Sequence, residues 1–151
     1  MGNFKFLKKK IVGPDYYGAG VKRMDWPTFE LNLLSAIDQM GSIHFQMEIE
    51  HQHLWNFVLT VLPSGADSAT LEATGYHTHG MKKGNQLDPE LIAALVSMGL
   101  AQPTGDERNW SIELVGDELE PTKLVTIIVH ILEQGYQFNP NLIQEVKVTA
   151  Q

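Results

Sequence analysis

Three consecutive segments of alternating apolar and polar residues, between residues 43 and 74, constrain the fold of this chain most. Residues 43–50, 55–61 and 69–74 place apolar side chains at every second position, which is the period of a half-buried β-strand. The links between them are short, at about residues 50–53 and 63–67. Parallel neighbours need crossover connections of about a dozen residues or more. The three segments therefore predict an antiparallel meander.

Helical periodicity flanks this meander on both sides. Residues 25–41, 88–99 and 120–135 each combine a capping residue or proline at the start, an apolar stripe at helical spacing, and a glycine at the end. These are the usual start and stop signals of α-helices. The stripe of the first helix consists of Phe29, Leu33, Leu34, Ile37 and Met40.

A fourth strand is predicted where Trp110, Ile112 and Leu114 alternate with polar residues. Residues 142–148 fit either a short helix or an edge strand. The order of elements is therefore αβββαβα. It predicts an α+β fold in which an antiparallel sheet, a three-strand meander plus a fourth strand, is packed by about three helices.

The charge divides the chain into a basic N-terminal arm at residues 1–23 and a single α+β domain at residues 24–151. The arm has six lysines and arginines against one aspartate, a net charge of +5, whereas the total is −7 and the domain carries −12. An acidic body repels phosphate backbones, so we expect it to bind no nucleic acid. The arm is either a solvated terminus or a contact for an anionic surface, including the acidic body of another copy.

The composition is that of an ordinary globular domain, with 43% hydrophobic residues in a chain of 151. The absence of cysteine excludes disulfides and thiolate sites and suits a reducing cytoplasm. No apolar run reaches the roughly 18 residues of a membrane span. A cytoplasmic protein without a membrane span is therefore predicted.

The order of several short sequence motifs resembles that of a known family. Residues 26–43 read as a tryptophan followed by an amphipathic helix and a strand. The run Leu-Val-Ser-Met-Gly-Leu at 95–100 is followed by Pro103 and by the Asn-Trp pair at 109–110. A helix rich in valine and isoleucine begins at 121 and ends in Ile-Leu-Glu-Gln-Gly-Tyr at 131–136. Over roughly residues 26–136 the chain looks like the TY-Chap family.

That family comprises bacterial domains related to sensory-transduction-regulator proteins and to type III secretion chaperones. The resemblance implies a small α+β domain, often dimeric, that binds other proteins rather than catalysing a reaction. The family has no defined active-site motif, so the resemblance assigns no functional residue to this chain.

Two His-x-His pairs are the strongest candidates for metal chemistry. They comprise His51 with His53 and His77 with His79. On a strand, residues i and i+2 point to the same side, so each pair offers two imidazoles to one ion such as zinc. The alternative is that these are polar residues at strand ends and in loops, and the spacing differs from the helical His-Glu-x-x-His zinc motif.

Other reactive arrangements are absent from the sequence. No serine lies in a Gly-x-Ser-x-Gly or Ser-x-x-Lys motif, and no glycine-rich stretch has the phosphate-binding pattern. We therefore expect no catalytic residues, no cofactor and no enzymatic activity. Four aromatic residues are candidate contacts for a partner if they lie at the surface: Tyr16, Tyr17, Trp26 and Trp110, the last at an edge of the sheet.

These observations favour a non-enzymatic, protein-binding domain, chaperone-like or regulatory, which docks another protein or a second copy of itself. Docking would use an exposed strand edge or an apolar face between sheet and helices. Two alternatives stay open. One is a zinc-binding protein that uses the His-x-His pairs, and the other is a small acidic inhibitor of the immunity or antitoxin type, steered to a basic partner.

Overall fold

A computed structural model of the protein describes residues 8–12, 24–51, 57–74, 89–104 and 109–151, the first of these ranges as backbone alone. The described elements are six strands, three α-helices and two short 3-10 turns, Gly116–Leu119 and Pro140–Leu142. The third α-helix continues into one π-helical turn, Ile131–Gly135. In chain order they are β1 (Lys8–Val12), α1 (Trp26–Met40), β2 (Phe45–His51), β3 (Phe57–Gly65), β4 (Ser68–Thr74), α2 (Pro89–Ser97), β5 (Asn109–Val115), α3 (Pro121–His130) and β6 (Ile143–Ala150).

All six strands form one antiparallel sheet in the order β1-β6-β2-β3-β4-β5. The predicted α+β class and the antiparallel sheet with its helices are confirmed. The meander runs from β2 to β5 between neighbouring strands, and Ala66 and Asp67 form the tight turn between β3 and β4. No helix among the described residues is long and apolar enough to cross a membrane.

Two parts of the sheet differ from the prediction. Residues 142–148 belong to strand β6, which lies inside the sheet between β1 and β2 and is not at an edge. Strand β1 falls within the stretch predicted as an arm, and its Lys9 pairs with Val148. Both strands find their partners across most of the chain length. Local periodicity carries no information on such pairing, because it shows which side chains share a face and not which strand lies alongside.

Helix α1 is stabilised by a cap at each end and by an apolar stripe that packs on the core. The Asp25 side chain accepts a hydrogen bond of 2.8 Å from the backbone N–H of Thr28 at the N-terminus, as an N-cap residue does. Gly41 ends the helix in the left-handed region, with φ of 66°, and its N–H donates to the carbonyl groups of Ile37 and Asp38. The stripe of Phe29, Leu33 and Ile37 is buried.

The hydrophobic core lies between one face of the sheet and the helices. Its largest fully buried side chains come from α1, α2, α3 and from alternate positions of β2 to β5: Trp110, Phe29, Phe45, Phe57, Leu33, Met47, Ile49, Leu59, Leu71, Leu95, Leu114 and Leu124. The intervening strand positions form the opposite face of the sheet, which no described helix covers. We call this the open sheet face.

An aromatic cluster closes the core beyond the π-helical turn. The Phe57 ring makes edge contacts with Tyr136 and Phe138, with ring centres 4.8 and 5.0 Å apart. The buried Tyr136 hydroxyl donates to the backbone carbonyl of Thr74. Burial raises the pKa of Tyr136, so the phenol stays protonated and keeps this hydrogen bond over the ordinary pH range.

Candidate binding groove

Five of the residues that the sequence singled out, Tyr16, Tyr17, His53, His77 and His79, lie outside the described residues. Three others, Trp26, His51 and Trp110, can be located in the structure.

Trp26 begins helix α1 and is half-buried. Its ring meets Phe29 edge-on, with ring centres 5.4 Å apart and an interplanar angle of 75°. Trp26 therefore packs on the core and leaves part of its indole at the surface, where a partner can still contact it.

The prediction that Trp110 contacts a partner is wrong. It is 0% exposed, so it offers no surface to a partner. Position 110 lies on the core side of β5, opposite Ala73 of β4, where the small alanine leaves room for an indole. The indole Nε1 is buried and has no hydrogen-bond partner among the described residues. The aromatic ring therefore serves core packing rather than recognition.

His51 lies at the end of β2 and is buried. Its imidazole stacks on Phe138, with ring centres 4.7 Å apart and an interplanar angle of 25°. In the described part of the chain, no group of three or more histidine, cysteine, aspartate or glutamate side chains is placed to hold a metal. The structure thus places His51 in the aromatic cluster. The zinc hypothesis stays a prediction that depends on residues outside the described ranges.

The outer edge of β5 already has backbone and side-chain partners at two positions. Ser111 exchanges two hydrogen bonds with Ala101, of 2.7 and 3.3 Å, in an isolated antiparallel bridge. The N–H of Val115 donates to the carboxylate of Glu118 at 2.9 Å. Since these groups point away from β4, they are the ones an added strand would need. This edge is therefore poorly suited to docking a partner strand.

A groove of about 570 Å³ opens on the helical side of the molecule. It forms where the last turn of α1, the link to β2 and the first residue of α3 meet. Its walls are mainly apolar, and its lining consists of Leu34, Ile37, Asp38, Gly41, Ser42, Ile43 and Pro121. The volume lies in the range of sites that bind small ligands or anchor side chains.

The apolar wall of the groove continues along the surface of α1. Leu31 precedes Leu34 by one helical turn, so the two side chains are neighbours on the same helix face. Leu31 is 68% exposed, the most exposed large apolar side chain in the described part of the molecule. We call Leu31, Leu34, Ile43 and Pro121 the apolar strip. Contiguous exposed apolar surface of this kind marks interaction sites in soluble proteins.

The polar groups of the groove differ in their roles. The Ser42 hydroxyl donates to the carbonyl of His44 and accepts from the N–H of the same residue, so it holds the turn between α1 and β2. Asp38 is exposed on the rim. The ion pairs between described residues, Lys123 with Asp117 and Lys147 with Glu145, do not involve Asp38. The carboxylate of Asp38 is therefore accessible to a ligand.

The sequence patterns do not indicate this groove. The periodicity placed Leu34 and Ile37 on one apolar face of the first helix, and in the structure Ile37 is buried while Leu34 is half-buried. One feature of the sequence that points to this surface is Leu31, an apolar residue that lies outside that stripe. In comparisons of the chain with protein-family models, curated proteins and solved structures, no match was found. The function of the groove is therefore inferred from its geometry and chemistry.

Proposed function

We propose that this protein is a non-enzymatic protein-binding domain, chaperone-like or regulatory, that docks a partner in the groove at the end of α1. The observation that carries the proposal is the apolar strip, which exposes Leu31 and leads into a groove with apolar walls. The resemblance of residues 26–136 to the TY-Chap family supports the same conclusion, because those domains act by binding proteins.

The energetics of the strip suit recognition. Full burial of a leucine side chain contributes roughly 1.5–3 kcal/mol, and a few such anchors dominate the affinity of most interfaces. Leu31 and Leu34 have the i, i+3 spacing from which a helix presents anchors to a partner. The walls of the groove come from α1, from the link to β2, which the Ser42 hydroxyl holds, and from the first residue of α3. Since these parts are already ordered against the core, little ordering of the site accompanies binding.

Site-specific photocrosslinking in cells tests this proposal. A photoreactive amino acid is placed at Leu31 in one variant and, as a control, at Glu133 in another. Both positions are exposed on the helical part of the molecule. We expect a discrete protein adduct from position 31 and none from position 133. The absence of a discrete adduct at position 31, or equal adducts at both positions, would contradict the proposal.

A second candidate function is an acidic inhibitor that binds a basic partner through the open sheet face. Among the strands whose side chains are described, Lys147 is the one basic residue on that face. Five glutamates lie on the same face: Glu48, Glu50, Glu72, Glu113 and Glu145. Such a field speeds the association of a basic protein and is screened by salt.

A third crosslinking position separates the two candidates. Glu72 is exposed on the open sheet face, on strand β4. An adduct at Glu72 whose formation falls as salt is raised would favour the inhibitor, whereas an adduct confined to Leu31 would exclude it.

A further inference from the structure

The groove combines apolar walls with a negative end at α1. Asp38 lies on its rim, in the last turn of the helix, and that turn contains no basic residue. The C-terminus of an α-helix carries the equivalent of about half a negative charge, which basic side chains commonly offset. Here the carboxylate adds to the helix dipole instead of offsetting it. This end of the groove therefore favours a cation.

The other wall of the groove does not reverse this preference. Pro121 begins α3 and has no N–H to offer to an anion. The residue before it is Glu120, an exposed carboxylate. The nearby Lys123 is paired, since its Nζ lies 2.6 Å from Oδ2 of Asp117. The described charges around the groove, those of Asp38, Asp117, Glu120 and Lys123, are therefore negative in sum.

We propose that the groove takes a basic amphipathic segment of a partner protein. This inference rests on the protein-binding function proposed above and specifies the chemistry of the partner. Apolar side chains of the segment contact Leu31 and Leu34, while an adjacent arginine or lysine lies over Asp38. A guanidinium donates two parallel hydrogen bonds to a carboxylate, so arginine fits this position best.

Binding of two synthetic helical peptides tests the inference. They have identical leucines, and the flanking positions are arginine in one and glutamate in the other. Fluorescence anisotropy measures the Kd of each for the full chain, for Asp38→Asn and for Asp67→Asn. The last variant is the matched control, because it removes the same charge in the exposed turn between β3 and β4.

We expect the arginine peptide to bind the unmodified protein more tightly than the glutamate peptide. Asp38→Asn should weaken binding of the arginine peptide roughly two- to fivefold, the range of exposed helix-end and ion-pair contributions, and Asp67→Asn should not. Leu31→Ser, a change at an exposed position that leaves the core intact, should weaken binding of both peptides.

Other outcomes overturn the inference and separate it from the proposed function. Equal Kd values for the two peptides, both weakened by Leu31→Ser, would reject the basic partner and retain protein docking. If neither peptide binds but a discrete crosslink forms at Leu31, the basic partner is likewise rejected and protein docking is retained. A homodimer in sedimentation that Leu31→Ser dissociates would assign the groove to a second copy. The absence of both peptide binding and crosslinks would reject the two proposals together.

Discussion

The side-chain hydroxyl of Thr74 forms the hydrogen bonds to β3 that a backbone pair would otherwise form at this end of the ladder between β3 and β4. The regular pairing in this part of the ladder ends at Leu59 and Ala73. Beyond it, the Thr74 hydroxyl accepts from the N–H of Val58 at 2.7 Å and donates to the carbonyl of the same residue at 3.0 Å. Thr74 is buried, so these bonds are shielded from water.

Replacement of Thr74 by valine should therefore destabilise the protein. The change keeps the shape of the side chain but leaves the backbone groups of Val58 without their partner, and a lost partner in a buried site costs about 1–3 kcal/mol. Chemical denaturation measures the change in the free energy of unfolding. Thr60→Val, on the open sheet face, is the control and should have little effect. Equal effects of the two variants would exclude this role of Thr74.

Gly135 ends the π-helical turn where it meets α2. A Cβ atom at this position would lie 2.5 Å from Cδ2 of Leu95, a fully buried side chain. The missing side chain is therefore what allows the turn to pack closely on α2.

Gly135→Ala should destabilise the protein by about 1–3 kcal/mol, the usual effect of overpacking a core. Thermal or chemical denaturation provides the measurement. Glu133→Ala changes an exposed residue of the same turn and should leave stability within roughly 0.5 kcal/mol of the unmodified protein. If Gly135→Ala is equally well tolerated, Leu95 repacks without cost and the close contact is unimportant.

At the scale of elements, the start of α3 is braced by the 3-10 turn that precedes it, Gly116–Leu119. The Lys123 ammonium in the first turn of α3 donates to the carboxylate of Asp117 at 2.6 Å. This hydrogen bond, together with the lysine charge, holds the pKa of Asp117 below its ordinary value. The contact links two elements that are adjacent in the chain.

The pH dependence of this contact follows from the direction of the shift. A carboxylate with a depressed pKa in the folded state stabilises the fold above its ordinary pKa, and the contribution is lost as the pH falls through the folded-state pKa. Lys123→Met should therefore raise the pKa of Asp117 in an NMR titration. Glu113 is the control, because Ser64 and Thr70 lower its pKa instead. An unchanged Asp117 titration in Lys123→Met would show that the ion pair does not persist in solution.

On the scale of the whole molecule, the position of β1 determines which strand forms one edge of the sheet. Lys8–Val12 pairs along β6, so that β6 has neighbours on both sides. Without β1, the backbone groups of β6 on that side would be exposed. Its buried residues, Val146 and Val148, would lie in the edge strand. Exposed edges of this kind promote association between sheets.

Deletion of residues 1–12 should therefore lower stability and increase self-association relative to the full chain. Denaturation and sedimentation at several protein concentrations measure the two effects. Deletion of residues 1–7 removes part of the basic arm but leaves β1, and is the control. If both truncated proteins behave alike, the pairing of β1 with β6 contributes nothing to the edge.

The sequence by itself determined the local elements of this protein. The stripe and caps of α1, the alternation in β2 to β4 and the tight turn between β3 and β4 depend on neighbouring residues, and the structure has them where the pattern predicts. The predicted link between β2 and β3 lies largely outside the described residues. The meander followed for the same reason, since short links leave strands no partner but the adjacent one.

Tertiary structure alone decided the place of β6 inside the sheet, the pairing of β1, the burial of Trp110 and the groove beside Leu34. Each depends on residues far apart in the chain that the fold brings together, such as Lys9 paired with Val148, or Pro121 and Ile43 lining one groove. A hydrophobic period indicates which side of an element is apolar, but not whether another element covers that side. Leu31 and Leu34 are similar residues on one helix, but only Leu34 lines the groove, where the first residue of α3, Pro121, lies beside it.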